Sequence, residues 1–88
     1  MTYEVVWMTT ADQQLIQICV GTFEAELKAV SEAVDEIEFV LGRQPRDVGE
    51  SRTGSVRQAF VRPLGFKFEI VEDDRRVYIL AIWYVRRR

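Results

Sequence analysis

Arg62-Pro63-Leu64-Gly65-Phe66-Lys67-Phe68-Glu69-Ile70-Val71, then Glu72-Asp73-Asp74-Arg75-Arg76, then Val77-Tyr78-Ile79-Leu80-Ala81-Ile82-Trp83-Tyr84-Val85 is the stretch that decides the fold. Two runs rich in β-branched and aromatic residues flank a fully charged turn, as in a β-hairpin. In the first run Phe66, Phe68 and Ile70 point to one face, and Lys67, Glu69 and Val71 to the other. The second run is apolar on both faces. A strand of that kind needs cover on both sides. Helices can cover one side. Whatever covers the other, whether chain, partner or substrate, is where the function is expected.

Working outward, Ser55 to Arg62 alternates and predicts a strand, with Val56, Gln58 and Phe60 on one side and Arg57, Ala59 and Val61 on the other. Pro63 cannot donate to a ladder and marks a strand end, an edge or a bulge. Residues 42–54 hold three glycines and one proline and read as a loop. Before them, Leu27, Val30, Val34, Ile37 and Leu41 recur at spacings of three and four, the stripe of a helix from Phe23 to Leu41. Gly42 stands where a left-handed C-terminal residue is expected. A shorter helix is predicted from Thr10, an N-cap with Gln13 three residues later as in a capping box, to about Val20. Gly21 ends it, and Thr22 can cap the next helix. Tyr3 to Met8 reads as a first strand.

The order is β-α-α-β-β-β in one domain spanning residues 1–88. The expected class is α+β, with two N-terminal helices packed on one face of a small, mostly antiparallel four-stranded sheet. The opposite face stays open. It would present several of Tyr78, Leu80, Ile82 and Tyr84, or of Val77, Ile79, Trp83 and Val85, an apolar patch that invites a partner.

Composition narrows the chemistry. The chain has 88 residues, no histidine and a single cysteine, Cys19. A His/Cys metal site, a His-based triad and an internal disulfide are excluded. No cofactor or metal is expected, and the acidic turn Glu72-Asp73-Asp74 needs no ion. Neither a signal peptide nor a membrane span is apparent, so a cytoplasmic protein is expected. The net charge of −2 conceals an asymmetry. Residues 1–50 carry 3 Lys/Arg against 10 Asp/Glu, and residues 51–88 carry 9 against 4. Either acidic helices solvate one side, or a basic sheet face meets an anion such as RNA or an acidic partner segment. The acidic pI of about 5.1 opposes strong non-specific nucleic-acid binding.

The strand Tyr3–Met8, the helical pair ending at Gln44-Pro45, the run Gly65–Val71, the turn Glu72–Arg76 and the strand Val77–Trp83 together resemble the RelE/ParE toxin superfamily of bacterial toxin–antitoxin systems. Gly65-Phe66-Lys67 is similar to the Gly-Tyr-Arg that opens the family's third strand. The resemblance implies one of two activities. RelE-like members cleave mRNA on the ribosome with clustered Lys, Arg and Tyr. ParE-like members lack that cluster and inhibit DNA gyrase. Either kind implies an antitoxin partner that wraps the toxin.

Carried over by position, Lys67 falls where the nuclease branch has an arginine, and Arg86 or Arg87 near its C-terminal arginine. The branch's lysine pair falls on Gln58 and Phe60, and its closing helix with a catalytic tyrosine has no counterpart. RNA cleavage needs a base, an acid and cations for the phosphorane. The candidate catalytic set is Lys67, Arg62, Arg86 and Tyr84, with Tyr84 the plausible acid near the chain end. Three have a structural alternative: an ion pair of Lys67 and Glu69 with the following strand, half-buried packing for Tyr84, and a frayed, solvated tail for Arg86. Arg57, Trp83 and Arg87 are the candidate partner-binding residues. The expected function is that of a toxin-like component acting by protein binding rather than by RNA cleavage. A ribosome-dependent mRNA endonuclease and a non-toxic domain that self-associates, as a homodimer, on the same scaffold are the alternatives.

Overall fold

The charged turn joins two paired strands, as its sequence predicts, and the second of them sits inside the sheet. A computed structural model describes residues 2–85. The elements run β1 (Glu4–Trp7), α1 (Thr9–Val20), α2 (Glu24–Arg43), a 3-10 turn (Pro45–Asp47), β2 (Glu50–Thr53), β3 (Val56–Val61), β4 (Leu64–Val71) and β5 (Arg76–Tyr84). One sheet forms, in the order β1-β5-β4-β3-β2. Strands β2 to β5 are antiparallel neighbours, while β1 lies parallel to β5 with Val5 opposite Val77 and Trp7 opposite Ile79. Strand β5 lies between β1 and β4, and after Arg76 it is apolar or aromatic to its end, with only one of its faces packed under the helices.

The helices cover one face. Ala11, Val30, Ala33, Ile37 and Leu41 pack against Ala59, Leu64, Phe66, Phe68, Val77, Ile79 and Ile82 to form the core. Burying each larger side chain contributes about 1.5–3 kcal/mol. The Phe66 and Phe68 rings lie 5.6 Å apart at its centre.

Several local expectations are corrected. Among the described residues the sheet has five strands rather than four. The additional strand, β2, lies within the segment read as loop. Its sequence Glu50-Ser51-Arg52-Thr53 is exposed throughout and has no apolar member, so alternation gives no sign of it. Helix α1 begins before Thr10, and its N-cap is Met8 with no side-chain capping bond. The Met8 N–H donates to the Ile79 carbonyl at 3.0 Å and its own carbonyl accepts from Asp12 N–H at 2.9 Å, so β1 passes directly into the helix. Phe23, not Thr22, caps α2; the Thr22 hydroxyl donates to the Cys19 carbonyl. Gly42 lies within α2 instead of ending it, and its carbonyl accepts the Tyr3 N–H at 2.7 Å. Leu27 leaves the buried stripe, because burial along α2 begins only at Val30.

The correction that shapes the site lies in β5. Lys67 is opposite Ala81 but Phe68 is opposite Ile79, so Leu80 is an extra residue at a β-bulge. The bulge shifts the alternation by one. Val77, Ile79, Ile82 and Tyr84 therefore pack toward the helices, while Tyr78, Ala81 and Trp83 share the outer face. Each of the two sets expected from strict alternation is split between the faces. Where β1 has ended, Gln14 from α1 takes over: its Oε1 accepts the Ile82 N–H at 2.9 Å.

Candidate functional site

Among the described residues no helix lies on the outer face of the sheet. Its rows follow from the strand register. Phe60, Gly65 and Trp83 lie side by side across β3, β4 and β5; Gln58, Lys67 and Ala81 form the next row, and Val56, Glu69 and Tyr78 the third. Gly65 makes the first row distinctive. A Cβ at Gly65 would stand 2.5 Å from Trp83 Nε1 and 2.6 Å from its Cε2, so the indole fills the space above the glycine. Phe60 meets that indole edge-on, with the ring centroids 6.2 Å apart and the planes at 84°. Phe60 is 56% exposed. The two rings form an aromatic corner on this face.

The register places Glu4, Glu50, Lys67, Glu69 and Arg76 on this face. Arg76 Nε pairs with Glu4 Oε1 at 3.0 Å, and Glu69 Oε2 accepts the Ser55 hydroxyl at 2.7 Å. Lys67 is exposed between Gln58 and Ala81 and forms no ion pair among the described residues. The expected pairing of Lys67 and Glu69 with acids and bases across the strands is absent there, because the register offers Lys67 no carboxylate.

The candidate catalytic residues do not converge. Lys67 is on the outer face, whereas Tyr84 is opposite Leu64 and packs against the core on the helix side. Arg62 is in the turn between β3 and β4. With Pro63, Tyr84, Ile18 and Phe23 it lines a groove of about 890 Å³ beside the α1–α2 connection. Arg86 lies outside the described residues, as does Arg87 of the candidate partner-binding set. Within that set Trp83 is on the outer face, but Arg57 is committed elsewhere. Its Nε donates to the Val48 carbonyl at 3.0 Å and its Nη2 to the Gly49 carbonyl at 2.9 Å, bracing the approach to β2.

Sequence reasoning missed Phe60 as a site residue. Its alternation with Gln58 and Val56 already placed it on one strand face, but only the register brings it beside Trp83. A polar brace was missed too. Glu72 accepts the Tyr3 hydroxyl at 3.0 Å and Arg46 Nε at 2.7 Å, and Arg75 lies over the Tyr3 ring at 4.2 Å. The Arg46 hydrogen bond holds the Glu72 carboxyl below its ordinary range, with a further contribution from Tyr3 and opposition from desolvation. This brace joins the residue before β1, the 3-10 turn after α2 and the β4–β5 turn.

Among the described residues no helix is long and apolar enough to cross a membrane, and no cluster of potential metal ligands occurs. No protein-family model matches the sequence, and no curated protein matches it. Solved structures do. The chain is similar to a protein of the RelBE2 toxin–antitoxin complex from Mycobacterium tuberculosis, with 21% identity, 94% of this chain and 91% of the other covered, and a TM-score of 0.74. It is equally similar to one from the chromosomal ParDE system of P. aeruginosa, with 22% identity, 97% and 98% coverage, and a TM-score of 0.74. A third similar structure is in the archaeal RelE–RelB complex from Pyrococcus horikoshii, with 17% identity, full coverage of both chains and a TM-score of 0.66. The chain has the RelE/ParE toxin fold.

Proposed function

We propose that this protein is the toxin component of a toxin–antitoxin pair and that it acts by binding a protein rather than by cleaving RNA. The observation that carries this reading is the composition of the open sheet face. Trp83, Phe60 and Tyr78 dominate it, and Lys67 is its one cation outside an ion pair among the described residues. Cleavage by a cation cluster needs base, acid and cations around one phosphate. Lys67 and Tyr84 stand on opposite faces of the sheet, which argues against that assembly. Partly accessible aromatic side chains are, by contrast, common at the centre of a protein interface.

A fold shared with proteins of toxin–antitoxin complexes supports an antitoxin as the neutralising partner. DNA gyrase, which the ParE-like side of the resemblance implies, is the first target to assay. The test is induced expression in a bacterial host. Growth should stop, and co-expression of the protein encoded beside this gene should restore it. Undisturbed growth would overturn the toxin reading.

A further inference from the structure

We infer that the helix-side groove beside the α1–α2 connection is a contact between two copies of this chain. Phe23 of each copy sits in the groove of the other, and Glu26 of each faces Arg62 of the other. The inference goes beyond the toxin reading and concerns the chain with no partner bound.

Burial locates the surface. Phe23 stands seven residues before Val30, in phase with Val30, Ile37 and Leu41 on the core-facing stripe of α2. Those three are at most 1% exposed, whereas Phe23 is 82% exposed and Leu27 39%. The first turns of α2 therefore overhang the end of the sheet. Beneath them the groove has Ile18 on one wall, with Pro63 and Tyr84 on the other. An apolar ring aligned with a core stripe, with nothing packed beneath it, gains from being covered.

Symmetry and charge select a second copy. A two-fold contact uses the same patch twice, so the patch must carry both halves of the fit. Here a protruding ring and an apolar recess lie side by side. Glu26 from α2 and Arg62 from the β3–β4 turn are the charged side chains among the described groove residues. Neither has an ion-pair partner among the described residues. One Glu26 carboxylate oxygen accepts the Phe23 N–H at 3.4 Å, a long bond that leaves the other oxygen free. An acidic segment entering the groove would meet Glu26, and a basic one Arg62. A copy turned about a two-fold axis sets each Glu26 against the opposite Arg62, so both charges are matched, and twice.

Size sets the strength. Two hairpin ends and two grooves make a small contact, at the low end of the roughly 1,200–2,000 Å² of specific interfaces. The dimer is therefore reversible, with a dissociation constant on the order of micromolar.

Sedimentation velocity of the purified full chain, over about 1–200 μM, tests this. The mass should rise with concentration from that of one chain, 10.3 kDa, toward twice that value. Phe23→Ser should weaken association by about tenfold or more, as should Glu26→Arg and Arg62→Glu separately. The double variant, Glu26→Arg with Arg62→Glu, should regain the dimer, because opposite charges again face each other. All three positions are exposed, and circular dichroism verifies the fold of each variant. Should a charge variant fail to fold, Phe23→Ser decides alone. A monomer at every concentration, a dimer that survives Phe23→Ser, or a folded double variant no better than the single ones would overturn the inference. Growth arrest is measured separately, so either reading can fall while the other stands.

Discussion

Trp83 occupies the space that any side chain at Gly65 would need: a Cβ there would lie 2.5 Å from the indole Nε1. The glycine's value at this position is its missing side chain. It lets an aromatic ring on the neighbouring strand lie down on the sheet and present a face to solvent.

Gly65→Ala should therefore displace the indole and cost about 1–3 kcal/mol, as overpacking generally does. Thermal unfolding will register the loss, at roughly 4–8 °C per kcal/mol for a domain of this size. The informative readout is local. Tryptophan fluorescence should change while the far-ultraviolet spectrum stays that of the parent, and partner binding should fall with it.

Two glycines with left-handed backbones should respond differently to the same substitution. Gly49 has φ 68°, and a Cβ there would collide with the Gln58 carbonyl oxygen and stand 2.6 Å from the Ala59 Cβ. Gly54, in the β2–β3 turn, has φ 57° with nothing within 4 Å. Gly54→Ala should cost only the left-handed penalty of about 1–2 kcal/mol. Gly49→Ala should cost clearly more, since backbone must move as well. Denaturant titration of the two variants measures the difference, and equal losses would contradict the close approach of Gly49 to β3.

The brace at Glu72 makes a pH-dependent prediction. Its carboxyl is held below the ordinary value of 4.5 by the Arg46 hydrogen bond first, and in the unfolded chain it returns to that value. The contribution is then complete above about pH 4.5 and is lost as pH falls through the folded value. Glu72→Gln should be less stable than the parent near neutral pH, and the gap should close on acidification below 4.5. The site is exposed, so added salt should narrow the gap too. A gap independent of pH would assign the effect of the substitution to packing.

Much of this architecture is legible in the sequence, for physical reasons that also explain the failures. The strands β3, β4 and β5 and the core-facing half of α2 are apolar at regular intervals because burial demands it, so periodicity reveals them. Glu50–Thr53 forms a strand through backbone pairing alone, and no side-chain pattern records that. The bulge at Leu80 is likewise silent, since a run apolar on both faces looks the same in either phase. Its consequence was large: it sent Tyr84 to the helix side and Trp83 to the outside, separating residues that simple alternation leaves ambiguous. Met8 replaced Thr10 as the start of α1 because its carbonyl and N–H were already used by the helix and by β5. Neither the Gln14 hydrogen bond to Ile82 nor the Trp83–Phe60 contact could be read locally, because each joins elements distant in sequence.

Primer extension on cellular mRNA after induced expression tests the central claim most directly, run in parallel for the parent chain and Lys67→Ala. Growth arrest without new mRNA 5′ ends is the predicted result, with the parent and variant alike in leaving transcripts intact. New cuts that appear with the parent and vanish with Lys67→Ala would contradict it, and would make Lys67 part of a ribonuclease centre.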